Sequence, residues 1–131
     1  SDEDGNGVKG ENAGAVYIFK RGDDDKFSPS GTLDPPKDSG LWNFGWSIAV
    51  NRAGFLVIGA RGARRGKGSV SLYKTVAGSG QWEPVQTFEP NVDASMSNGG
   101  NFGWDVAISE SNTVIVGAPF EGGRGALFIY K

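Results

Sequence analysis

Any chemistry in this chain must proceed without its usual agents. None of its 131 residues is Cys or His. That excludes a thiol nucleophile, a thiolate metal site and the commonest general base. Oxygen ligands and cations remain. In "SDEDGNGVKGEN", Asp2, Asp4 and Asn6 followed by Gly7 match the D-x-D-x-N-G opening of a calcium loop. The position for the closing bidentate Glu is Ala13, and Glu11 comes two residues early. A solvated acidic turn is therefore the simpler reading and a calcium site the sharper one. The only dense basic run is "RGARRGK", which gathers Arg61, Arg64, Arg65 and Lys67. Such a loop could bind a carboxylate- or phosphate-bearing partner; a solubilising loop is the plain alternative.

Three formal motifs fail on their context. Gly5–Gly10 reads G-x-G-x-x-G, but no strand precedes it and no helix follows to offer an anion its N-terminus. Ser47 in "GWSIA" approaches a nucleophile elbow, yet a Ser-His-Asp triad is impossible without histidine. "GARRGK" lacks both the first glycine and the Ser or Thr of a phosphate loop. No enzyme is expected.

Bulk properties narrow the partners. The net charge is −2, from 13 basic and 15 acidic residues, which argues against a nucleic-acid face. No apolar run approaches the roughly 20 residues that cross a bilayer. The chain opens on Ser1 without a visible signal peptide, and reads as a processed terminus or a piece of something longer. Its 22 glycines fall between short apolar runs, as turn residues do.

The elements that must hold any site are repeated. "NFGWSIAV" (43–50) returns as "NFGWDVAI" (101–108), and "FLVIGA" (55–60) as "VIVGAP" (114–119). Three tails align: "GAVYIFK" (14–20), "GSVSLYK" (68–74) and "GALFIYK" (125–131). "KFSPSGTLDPP" (26–36) matches "QWEPVQTFEP" (81–90). One unit thus spans about 55 residues and holds four short apolar runs, a period too long for most solenoids and suited to propeller blades. The runs alternate or are β-branched, are bounded by Gly, Pro, Asn and Asp, and carry no helical stripe. The fold class is all-β, a β-propeller of four-stranded antiparallel blades.

Phe-Gly opening the first strand, Gly-Ala-Pro (117–119) closing the second and Gly-x-(Val/Leu)-x-(Ile/Leu)-(Phe/Tyr) as the third together resemble the FG-GAP repeat of integrin α-subunit propellers. Gly59-Ala60-Arg61 departs at its last position. The resemblance implies strands near 44–50, 55–60, 69–74 and 82–88, and an extracytoplasmic setting. It also implies calcium loops between the first and second strands, where this chain has only "NRAG" and "SESN", without aspartates. Gly45 and Gly103 are expected where strands approach closely, and Phe44, Phe102, Trp46 and Trp104 as apolar area between stacked sheets.

In this frame residues 1–36 end a first blade (strands three and four), 37–90 form a complete second, and 91–131 give strands one to three of a third. That is a little over two blades. The chain is then part of a longer propeller, a unit that closes a ring with its own copies, or a partial propeller docked on a larger assembly. Its expected role is a non-catalytic protein-interaction or adhesion module, with rigid strands presenting variable loops. The alternative is a carbohydrate-binding propeller, with Trp42 and Trp82, and less readily Trp46 and Trp104, stacking on sugar faces. Arg21-Gly22-Asp23, an integrin-recognised tripeptide, is read as a hairpin turn.

Overall fold

The computed structural model describes residues 14–35, 43–62, 67–90, 101–119 and 124–131. Among them are nine strands and no helix: β1 Val16–Arg21, β2 Phe27–Leu33, β3 Phe44–Val50, β4 Phe55–Ala60, β5 Ser69–Thr75, β6 Trp82–Phe88, β7 Asp105–Ile108, β8 Val114–Ala118 and β9 Ala126–Tyr130. β3 to β6 occupy the four stretches expected from the repeat, β5 running one residue further. The strands form three antiparallel meanders, β1-β2, β3-β4-β5-β6 and β7-β8-β9. Each strand pairs with its neighbour in the chain, as short turns require. Arg21-Gly22-Asp23 does open a turn, closed by Gly22 N–H donating to Lys26 O at 2.8 Å.

Burial along each strand shows what covers its faces. Successive side chains of a strand point to opposite faces. β4 is apolar at nearly every position because both of its faces are covered. Leu56, Ile58 and Ala60 pack with Val16, Phe44 and Tyr73 toward the β1-β2 sheet. Val57 faces the other way, into a cluster with Val70, Phe88, Phe102, Val106 and Val116. β8 is the corresponding strand of the third sheet, and there burial alternates: Val114, Val116 and Ala118 are buried while Ile115 is exposed. The three sheets are thus stacked face to face, with β4 and most of β5 covered on both sides while Ile48 and Val50 of β3 stay exposed. Burial pushes the hydroxyls of Tyr73 and Tyr130 up from their ordinary value, so both stay neutral as packing groups.

The stack is joined twice by the same backbone device. Gly68, at φ +89°, lies against the backbone of Phe102, with which it forms a parallel bridge. Phe102 N–H donates to Lys67 O at 3.1 Å. Next along, a Cβ on Gly103 (φ +91°) would come within 2.7 Å of Ser69 O, so only glycine lets the strands approach this closely. The earlier joint repeats the pattern, Gly14 against Phe44 and Gly45 against Ala15. The Phe-Gly that begins one unit is therefore docked on the glycine that begins the third strand of the unit before.

Side chains reinforce the second joint. Ser47 Oγ donates to Gly103 O at 2.8 Å, bridging sheets. Asn51 is buried in the β3–β4 turn and fully engaged. Its Nδ2 donates to Ser109 O at 2.8 Å and to Asn112 Oδ1 at 2.7 Å, while its Oδ1 accepts Phe55 N–H at 3.1 Å. Asn51→Ala removes three hydrogen bonds that a buried side chain makes to groups on two neighbouring sheets. It should lower the unfolding free energy by about 1–3 kcal/mol in urea titration. A change within about 0.5 kcal/mol, the range of ordinary surface substitutions, would show that the clasp contributes nothing.

Candidate functional site

The local chemistry of the Phe-Gly-Trp segment decides where its tryptophan goes. Asn43 and Gly45 both have positive φ, +60° and +87°, as do Asn101 and Gly103 at +56° and +91°. Trp46 N–H donates to Asn43 O at 3.0 Å, and Trp104 N–H to Asn101 O at 2.9 Å, closing a tight turn at the start of each first strand. Between Phe44 and Ser47 the β3–β4 register shifts. Such an irregularity re-aims the side chains beside it. Phe44 and Phe102 are buried as expected, but Trp46 and Trp104 are not: they are 48% and 36% exposed. The expectation that they fill the space between sheets is corrected: the bulge breaks the alternation linking Phe44 to Trp46, and Trp104 lies in the turn ahead of β7.

The two indoles instead meet at the rim of the joint. Their centroids are 5.6 Å apart and their planes tilted by 55°. Between β4 and β5, Arg61 lays its guanidinium over them, Cζ lying 3.7 Å from the Trp46 centroid and 4.8 Å from that of Trp104. Both distances fall within the range of cation–π attraction. Asn101 Nδ2 donates to Arg61 O at 3.3 Å, tying the arginine's backbone to the turn that presents Trp104. The Arg61 Nε–H is buried without an acceptor. Arg61 stands where the third unit has Pro119, and among the described residues no other cation lies over an aromatic ring.

The remaining expected site residues are placed as follows. Lys67 is half-buried and contributes its carbonyl to the joint. Arg64 and Arg65 lie outside the described residues, as do Asp2, Asp4, Asn6, Glu11 and Trp42. Among the described residues no group of three or more acidic, His or Cys side chains is placed to hold a metal ion. Trp82 packs against the Phe44–Tyr73 cluster. Trp46 and Trp104, read from the sequence as more readily buried than exposed, are the residues whose surface position the sequence understates. The signal that singles out their joint is the disagreement of the two copies at Arg61 and Pro119.

No helix among the described residues is long and apolar enough to cross a membrane. No curated protein matches this chain. Residues 93–130 match the family model of the FG-GAP repeat. That stretch holds the second Phe-Gly, the Gly-Ala-Pro and the third tail on one antiparallel sheet, so motif, fold and family match together identify residues 93–130 as an FG-GAP repeat.

Proposed function

We propose that the chain is a non-catalytic interaction module: a segment of an FG-GAP propeller, its sheets being successive blades, that works within a larger protein or assembly. One observation carries this. Ile115, Leu127 and Ile129 stand on the outer face of the third sheet, 36%, 72% and 61% exposed. Their counterparts in the middle sheet, Val57, Val70 and Leu72, pack against the third sheet. Gly125 also repeats, at φ +85°, the positive φ of Gly68. The outer face therefore has the apolar residues and the glycine with which the middle sheet receives its neighbour, and it fits a further sheet of the same kind. Contiguous apolar surface of this sort marks an interaction site.

Around that scaffold the loops recognise partners, and the basic stretch 61–67 is the contact favoured by charge. An extracytoplasmic location goes with the repeat family. For the carbohydrate-binding alternative, Trp82 is partly buried against the Phe44–Tyr73 cluster and Trp42 lies outside the described residues. In isolation the chain should bind the dye ANS and self-associate as its concentration rises, and Leu127→Glu with Ile129→Glu should abolish both. A wild-type chain that stays monomeric and dye-silent at high concentration would overturn the proposed covering of this face.

A further inference from the structure

The middle joint holds a cation that the packing of the sheets does not require. The third unit has Pro119 at the corresponding position, and among the described residues the earlier joint docks its Phe-Gly with no cation over an aromatic ring. Arg61 instead follows the buried Ala60 and turns out over two half-exposed indoles. It has no ion-pair partner among the described residues, and its Nε–H is buried without an acceptor. Stacking occupies a face of the guanidinium, whereas its N–H donors all lie in the plane and point outward from its edge. Indoles beside it displace water and lower the local dielectric, which strengthens any ion pair formed there. A cation held this way is oriented in advance for a planar two-oxygen acceptor.

We propose that Arg61, braced by Trp46 and Trp104, is a carboxylate-binding site for an acidic side chain, Asp or Glu, of a protein partner. This deepens the interaction-module reading and rests on it. Charge complementarity favours an acidic segment: in a chain of net charge −2, 4 of the 13 basic residues lie between positions 61 and 67. The geometry disfavours a sugar as the occupant. The indole planes are tilted by 55° and so offer no shared flat platform, and Arg61 already covers Trp46.

The test is titration of the chain with an N-acetylated, C-amidated hexaglutamate, followed by calorimetry and by tryptophan emission. Hexaglutamine and trigalacturonate serve as the neutral and the sugar arms. Hexaglutamate should bind saturably and change the indole emission, and hexaglutamine should do neither. Arg61→Gln should weaken binding about tenfold, and Arg61→Lys nearly as much, because an ammonium keeps the charge but neither forks nor stacks. Circular dichroism melts of each variant establish that it is folded. If folded Arg61→Lys binds like the wild type, charge alone is at work and the proposal is overturned. Trigalacturonate binding as tightly as the peptide overturns the assignment to a protein side chain. An Arg64→Glu/Arg65→Glu variant separates the two readings. If only that variant loses binding, the basic loop is the contact and the Arg61 site fails. If only the Arg61 variants lose it, the Arg61 site stands and the wider loop reading falls.

Discussion

Phe102→Ala should lower the unfolding free energy by about 3–5 kcal/mol, the usual cost of emptying a buried aromatic site. Phe102 is fully buried, and its ring stands edge-on to Phe128 at 5.1 Å and to Tyr130 at 6.4 Å. It fills the space between the middle and third sheets together with Val57, Val70 and Phe88. Two further effects bias the cost upward. The backbone of Phe102 is pinned to the middle sheet by its bridge to Gly68 and its bond to Lys67 O, which limits collapse onto the cavity. The edge-to-face pairs add about 0.5–1.5 kcal/mol beyond area burial. Against a typical total of about 5–15 kcal/mol, such a loss leaves the domain marginal or unfolded. Urea titration at constant m-value reads it directly. A loss below about 1.5 kcal/mol, in the range of a conservative hydrophobic swap, would mean that the inter-sheet core is not where most of the burial energy resides.

Gly68→Ala should be nearly as severe, for a different reason. At φ +89° any L-residue is strained, at about 1–3 kcal/mol. The new Cβ would also press on the backbone of Phe102, which cannot swing aside as a flexible side chain can. Gly78 supplies the control: its φ is +79°, and a Cβ there meets nothing within 4 Å. Gly78→Ala should show the conformational cost alone, about 1–2 kcal/mol. Gly68→Ala should exceed it by a further 1–3 kcal/mol or so, in keeping with an overpacked core. Equal effects in the two variants would show that the joint is loose enough to admit a methyl group.

What the sequence reveals and what it hides follow from the range over which each signal acts. β4 reads correctly as a strand because it is a short apolar run bounded by turn residues and repeated in the second copy. Its cover on both faces depends on neighbouring sheets: the equivalent run in β8 leaves Ile115 exposed. Gly45 and Gly103 read correctly because a repeated glycine inside a strand marks close approach. Trp46 misleads because the alternation that places a side chain assumes an unbroken pleat, and the bulge after Phe44 is a property of the pairing with β4. Arg61 is visible as a departure from Gly-Ala-Pro. Its resting place over two indoles depends on residues 15 and 43 positions away, brought together only by stacking. Asn51 is hidden for the same reason, since its partners lie on the next unit, 58 and 61 residues on.

The docking of Phe102 on Gly68 has one more consequence. The period written in the sequence and the period of mutual support are out of phase. A segment from Phe44 to Phe88 carries a whole sheet, yet it leaves Gly68 without the backbone it holds. The support runs both ways across the seam, since Ser47 and Asn51, on the first strand and the turn after it, also hold the next unit. Energy in such an array is a sum over neighbours. Grafting or shuffling these units should therefore carry both sheets that flank a seam, because a cut between the second and third strands would break the β4–β5 pairing and part Ser47 and Asn51 from Gly103 and Ser109.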